Sequence, residues 1–442
     1  MKHDLPAHPS PSRRDLLVGA TAVTGALALG TASAQDESPL EIPKAPPKDP
    51  IPDDRPIRVG LIGTGGMGGG HLGSMMGQIE AGVEYFEVVA LADVNAAWLG
   101  DKAIIAREKQ PGVTVDTYAD YKELLAREDI DCVLIAAPEH WHATMAMDAL
   151  AAGKDVYCEK PMTLSLREAL WMYDSMKANP HMRLQVGTQY MMLQKYEEAR
   201  KLIADGVIGH PTLSQTSYCR NTPNGEWNYY DIDGRVQPGD TLDWENWCGK
   251  KGIRNWDPKL YHRWRRYKDF STGIIGDLLV HMMTPMIFAL DRGWPVRINA
   301  VGGHYIDKEM ENHDQVFLTV EFEQDHTMIV AGASNNATGF ETLIRGNKAN
   351  LYLGSNNCEI RPEVPYAEDI EPRTIEGGDI TASNAQPALR LNWLQCVRSR
   401  EQNISQVELA TKIMVIVDLA TRALWDGGSW TYDPQTRKAT RA

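Results

Sequence analysis

Arg58-Val59-Gly60-Leu61-Ile62-Gly63-Thr64-Gly65-Gly66-Met67-Gly68 is the stretch that decides the fold of this 442-residue chain. Residues 58–62 form a short apolar run of β character. The pattern Gly-x-Gly-x-x-Gly on Gly63, Gly65 and Gly68 meets that run directly, encloses Met67, and leads into a helical pattern. Glycines at these places allow a tight turn and close approach of a pyrophosphate, which then rests on a helix N-terminus. A second apolar run, 86–92, ends in Asp93, 25 residues past Gly68. An acid near that spacing accepts a ribose 2′-hydroxyl and repels a 2′-phosphate, so NAD is the expected cofactor and NADP is disfavoured.

Beyond Asp93 the alternation continues. Helical runs at 96–109, 120–127, 140–152 and 165–178 separate apolar runs at 113–118, 132–137, 155–158 and 183–187. This predicts an α/β class with a doubly wound parallel sheet through about residue 188. In such sheets ligands bind beyond the carboxyl ends of the strands. Two segments fall there, one with Pro138 and His142 and the other Glu159-Lys160-Pro161. Lys160 at a strand end is suited to polarising a carbonyl or holding a hydroxyl, and a desolvated lysine titrates low enough to transfer a proton. The spacing equally fits a surface lysine before a turn-forming proline.

Upstream of the glycine turn, Arg13-Arg14, a weakly apolar run over 16–31 and Ala32-Ser33-Ala34 have the form of a twin-arginine export signal over residues 1–34. Export to the periplasm or outside the cell is the expectation. Residues 35–56 hold seven prolines and predict an extended arm without a core of its own. The chain carries 45 Lys and Arg against 59 Asp and Glu, a net charge of −14. Such an anion is a poor general partner for nucleic acid, which is bound by clustered Lys and Arg. No run of about 18 strongly apolar residues is present, which argues against a polytopic membrane protein. The six cysteines have no metal-binding spacing, so no metal site is indicated. An exported chain permits disulfides, but Cys132 and Cys158 sit in apolar strand-like runs and favour buried thiols.

Downstream, Asp277 and His281 are four residues apart, which on a helix places both on one face. There the carboxylate can orient the imidazole, or both can bind one substrate hydroxyl. A neutral histidine is a suitable base for alcohol oxidation near pH 7, and a satisfied His–Asp pair stabilising a helix fits the same spacing. Residues 227–264 hold Trp227, Trp244, Trp247, Trp256 and Trp264 with Tyr229, Tyr230 and Tyr261. Flat apolar rings with polar edges suit the faces of a sugar, so this segment is expected to wall the sugar site; a self-contained mini-core is the alternative. The basic run from His262 to Arg266 is read as substrate contact at Arg265 alone. Residues 299–305, 314–332 and 341–353 read as strands, and 388–425 as helical.

The ordered set Gly63, Gly65, Gly68, Asp93, Pro138, His142 and Glu159-Lys160-Pro161 resembles the Gfo/Idh/MocA oxidoreductases. Further matches are residues 202–209, Trp264-Arg265, Gly273, Asp277 with His281, and Asn392, Cys396 and Arg398. The resemblance implies an NAD-binding Rossmann domain over 57–188. It also implies an α+β domain over 189–442 with a large open, mostly antiparallel sheet, interrupted here by a Trp-rich insertion at 221–270. That sheet often carries oligomer contacts, so a homo-oligomer is expected. The resemblance further implies Lys160, Asp277 and His281 as catalytic residues, and Tyr190, Trp264, Arg265, Asp277 and His281 as contacts to a sugar or polyol. Glycines usual in the family are replaced by Ser271, Thr272 and Leu279, and an arginine after the sixth strand by Tyr190. The expected activity is hydride transfer from a sugar carbinol to tightly held NAD, in redox-neutral cycles. A glycosidase acting through transient oxidation and elimination, and a non-catalytic NAD-bound protein, are the alternatives. Family 109 glycosidases generally lack the Glu-Lys-Pro lysine, and its presence as Lys160 favours the dehydrogenase.

Overall fold

Five short, largely apolar and buried segments and the half-exposed edge strand Asp116–Tyr118 alternate with helices that return the chain to one edge, and a parallel sheet results. They are β1 (Ile57–Ile62), β2 (Phe86–Ala92), β3 (Asp116–Tyr118), β4 (Cys132–Ile135), β5 (Asp155–Cys158) and β6 (Leu184–Val186), in the order β3-β2-β1-β4-β5-β6. The intervening helices are α1 (Gly66–Glu80), α2 (Ala96–Lys109), α3 (Tyr121–Leu125), α4 (Glu139–Ala151) and α5 (Leu166–Ala178). The strand order reverses between β1 and β4, which opens a crevice at their carboxyl ends. The computed structural model describes residues 40–442; the expected export signal over 1–34, and residues 35–39 of the arm, lie outside the described residues.

The second sheet has ten strands: β7 (Pro211–Cys219), β8 (Pro295–Gly303), β9 (Gln315–Phe322), β10 (His326–Ala333), β11 (Leu343–Gly346), β12 (Ala349–Leu353), β13 (Asn357–Pro362), β14 (Arg373–Glu376), β15 (Ser429–Asp433) and β16 (Lys438–Arg441). Their order is β14-β13-β12-β11-β7-β10-β9-β8-β15-β16, antiparallel except where β7 meets β10. Alternation along β9 and β10 buries Val316, Leu318, Val320, Met328 and Val330 on one face and leaves the other partly exposed.

The expected helical stretch 388–425 is two helices, 385–399 and 407–426. Arg400 ends the first with a left-handed φ of 67°, and its guanidinium pairs with Asp155 at 2.6 Å. The second helix packs on both β8 and α5, and Trp393 of the first meets Tyr157 of β5 at 5.6 Å. The carboxyl half thus packs on β1 and β5 through one helix and on α5 through the other, and residues 42–442 form one compact unit. Residues 42–56 contain no helix or strand and lie along the Rossmann domain. Ala45 N–H donates to Asn179 Oδ1 at 2.8 Å, Lys48 pairs with Asp155 at 2.9 Å, and Ile51 is buried.

The Trp-rich insertion has its own apolar cluster of Val236, Leu242, Trp244, Trp247, Leu260, Tyr261 and Phe270. Trp244 and Trp247 stack with centroids 4.9 Å apart. Trp227 is not among them: it is 1% exposed and belongs to the main core. Among the described residues no helix is long and apolar enough to cross a membrane.

Candidate active site

The glycine turn needs its glycines for contact reasons. Gly63 has φ 90°, and a Cβ on Gly68 would lie 1.9 Å from the Gly63 carbonyl oxygen. Helix α1 begins at Gly66 without a side-chain cap, so no side chain occupies its first-turn N–H groups. A Cβ on Gly66 would meet nothing within 4 Å. This open, donor-lined approach fits a pyrophosphate. Asp93 closes the next strand. Its Oδ2 accepts from Thr64 N–H at 2.6 Å and Thr64 Oγ1 at 2.9 Å, and its Oδ1 from Asn95 N–H at 2.8 Å. Oδ1 therefore keeps the freer lone pair for a ribose hydroxyl. Burial pushes this carboxyl up against those three bonds. From Asp93 a cavity of about 760 Å³ runs past Met67, Pro138 and His142 to Glu159, Lys160, Trp264 and Arg265. That volume is within the range of cofactor sites.

At the far end Lys160 Nζ donates to Asp277 Oδ1 at 2.8 Å and to the Asp277 carbonyl at 2.9 Å. Arg265 Nε donates to the same Oδ1 at 2.9 Å. Burial raises the Asp277 carboxyl, but the two cations outweigh it and hold the group well below the ordinary carboxylate range. Trp264 lies under the Arg265 guanidinium at 4.2 Å. His281 stands between the rings of Tyr190 and Tyr218, at 5.6 and 6.3 Å. Burial first, then the Lys160 charge, pushes its imidazole down to about 3.

Of the two joint roles open to Asp277 and His281, the direct hydrogen bond is not made. Asp277 lies on a π turn, Ile275–Leu279, ahead of the helix Val280–Leu290 that carries His281. Its carboxylate is committed to Lys160 and Arg265, and His281 Nδ1 has no hydrogen-bond partner. The basic run divides in two: Arg265 serves this site, while Arg266 pairs with Asp307 at 2.7 Å.

Behind Lys160 is a buried relay that sequence spacing did not mark. Arg390 Nη1 donates to His71 Nδ1 at 2.8 Å, which leaves His71 Nε2–H to donate to Glu159 Oε1 at 2.8 Å. Glu159 Oε2 accepts from Lys160 N–H at 3.1 Å. His71, three residues past Gly68, had a position that could have flagged it; Arg390 had none. His142 lies between the carbonyls of Ala137 and Pro161, at 2.8 and 2.7 Å, and ties the two strand-end segments together.

The insertion, expected to wall the sugar side, runs along the whole cavity, from its Asp93 end to Trp264 and Arg265 beside Lys160. At the Asp93 end, Ala96 N–H donates to Thr241 O at 2.8 Å, Asp243 N–H to Val94 O at 3.0 Å, and Asn95 Nδ2 to Tyr261 OH at 2.8 Å. At the other side, His140 Nε2 and Trp141 Nε1 both donate to the Trp247 carbonyl, at 2.8 and 2.9 Å. Trp247, Tyr261, His262 and Tyr230 line the cavity from above. The rings pack mainly on each other and on Trp98, which is why they form a roof with its own core. Among the described residues no cluster could hold a metal.

A Rossmann crevice met at Lys160 by Asp277 and Arg265 of a second α/β domain defines a two-domain, NAD-binding fold. The chain belongs to the Gfo/Idh/MocA family: residues 57–188 match its NAD-binding Rossmann fold and residues 200–430 its C-terminal alpha/beta domain. It is similar to inositol 2-dehydrogenase/D-chiro-inositol 3-dehydrogenase of Lactiplantibacillus plantarum, 32% identical over 171 residues, 39% of this chain and 46% of that protein. A glycosyl hydrolase family 109 protein of a Shewanella species is 26% identical over 291 residues, 62% of this chain and 59% of that protein. The chain thus spans about half the length of these curated relatives. In fold it is similar to levoglucosan dehydrogenase in complex with NADH, with TM-score 0.65 and 18% identity over 85% of this chain and 98% of that one.

Proposed function

We propose that this protein is an exported NAD-dependent oxidoreductase that takes hydride from a carbinol carbon of a sugar or polyol and keeps its NAD through successive turnovers. The observation that carries the proposal is the convergence of Lys160, Asp277 and Arg265, with His281 near Lys160, at the end of the crevice away from Asp93. NAD, when bound, supplies the hydride acceptor. The amides of the Gly63–Gly68 turn would hold its pyrophosphate, and Asp93 a ribose hydroxyl. The Lys160 ammonium, fixed by Asp277, faces the substrate oxygen and stabilises the negative charge that develops there as the hydroxyl proton leaves. Neutral His281 accepts the hydroxyl proton, so the carbinol loses one hydride and one proton and becomes a carbonyl. Tyr190, Trp264 and Arg265 contribute rings and a cation for a polyhydroxylated ligand.

The roof supports retention of NAD, because it is hydrogen-bonded to both sides of the crevice. An exported enzyme has no free NAD pool at hand, so hydride must return to a second substrate. Inositol and levoglucosan, named for the relative and the structural neighbour, set the substrate class. The match to a family 109 glycosyl hydrolase extends over more of this chain than the inositol dehydrogenase match and supports a second reading, transient oxidation followed by elimination. The half-exposed face of the ten-stranded sheet is the surface we assign to self-association. Mass spectrometry of heat-released ligand should find near-stoichiometric NAD(H). A panel of inositols, anhydrosugars and aldoses should then reduce it, read at the NADH absorbance. Protein free of nucleotide, or loaded with NADP, would overturn the retention claim. Release of aglycone from an aryl glycoside without net reduction would select the second reading.

A further inference from the structure

Glu139, the first residue of α4, is 1% exposed, and its carboxylate reaches across to the turn that follows the insertion. Ser271 Oγ donates to it at 2.5 Å, and Thr272 N–H and Thr272 Oγ1 each at 3.0 Å. Gly273 N–H donates in turn to Ser271 Oγ at 3.0 Å. This turn leads into the π turn of Asp277. Thr272 is packed against it so closely that a Cβ on Gly276 would lie 1.8 Å from Thr272 Oγ1. One buried carboxylate of the NAD-binding half therefore fixes the start of the segment whose next residues hold Lys160 and Arg265.

We propose that Glu139 is a positioning residue for hydride transfer: by gripping Ser271 and Thr272 it sets where Asp277 stands between Lys160 and Arg265, and so where the Lys160 ammonium meets the substrate oxygen. The proposal rests on the oxidoreductase function given above. An ionised carboxylate accepts all three donors, whereas a carboxylic acid must place its own proton among them. The charges facing Glu139 are Asp277 and Arg265, with Lys160 beyond Asp277; His140 and His142 on its own helix are pushed down by burial. Burial first, and the Asp277 charge, push Glu139 up to about 7. Its grip thus tightens as pH rises through neutrality. His281, at about 3, does not titrate in that range.

In the full-length, NAD-loaded protein, Glu139→Gln should retain NAD and lower kcat by about tenfold, with KM little changed, as expected for contacting residues. The rise of wild-type kcat through pH 7 should flatten. Ser271→Gly/Thr272→Gly removes the side-chain donors from the other side and should give a similar loss, with the triple variant no worse than either. Losses that multiply, or a wild-type pH profile in Glu139→Gln, would overturn the proposal. Infrared titration needs no substrate: a protonated-carboxyl band should fade near pH 7 in wild type and be missing in Glu139→Gln. Without that difference Glu139 has no such role, even if sugars are oxidised normally. With it, but no sugar oxidised, the fault lies in the oxidoreductase function and not in the state assigned to Glu139.

Discussion

The floor and the roof of the cofactor crevice are built on opposite plans. The floor is backbone: a glycine turn whose amides face the ligand and where an added Cβ at Gly68 would collide at 1.9 Å. The roof is side chain: stacked and tilted rings from the insertion, joined to the floor by separate hydrogen bonds at Asn95, Ala96, His140 and Trp141. A backbone site fails as a whole when one glycine is replaced, whereas a roof of independent contacts loosens one bond at a time. Catalysis, stability and cofactor retention should therefore separate by variant.

The largest effect is expected where both halves meet. Lys160→Met and His281→Ala should each lower single-turnover reduction of bound NAD by about 10²–10⁴, the usual contribution of a general acid–base group, while NAD stays bound. A wild-type single-turnover rate in His281→Ala would remove that residue from the mechanism, and loss of NAD in either variant would break the division between floor and site.

Next come the tryptophans. Trp227→Ala should cost about 3–5 kcal/mol of stability, as for other buried aromatics, because Trp227 belongs to the main core. Trp247→Ala should be milder in melting, since it empties only the small cluster of the insertion, but should speed release of NAD. Melting curves and dialysis of bound nucleotide compare the two. If Trp247→Ala weakens sugar affinity and leaves NAD retention intact, the insertion walls the sugar side after all.

The smallest effect is the finest test of the roof. Tyr261→Phe removes only the acceptor for Asn95 Nδ2, a bond worth about 0.5–1.5 kcal/mol, and should raise the NAD dissociation rate several-fold with unchanged kcat. An unchanged dissociation rate would mean that this fastening does not limit escape.

Much of the floor was legible before any coordinates. Gly63, Gly65, Gly68 and Asp93 follow from a turn whose geometry is local, and the strands from short apolar runs between helices. Lys160 could be placed at a strand end but not given a partner, since Asp277 lies 117 residues on. The spacing of Asp277 and His281 invited a joint role. The π turn gave the carboxylate to Lys160 and Arg265 instead. Five tryptophans in 38 positions announced a special segment without saying which side of the cleft it would cover.

By itself the sequence determined the Rossmann half and the choice of NAD, because both are written in contacts between near neighbours along the chain; the residues expected to do chemistry came from the family resemblance. Only the tertiary structure decided that Glu139 grips Ser271 and Thr272, that Arg390 reaches Glu159 through His71, and that the insertion's tryptophans cluster together and are tied to Trp141. Those are pairings across 88 to 319 residues. No local spacing encodes them; they exist because a buried polar group must find its partners inside the fold, wherever the chain brings them.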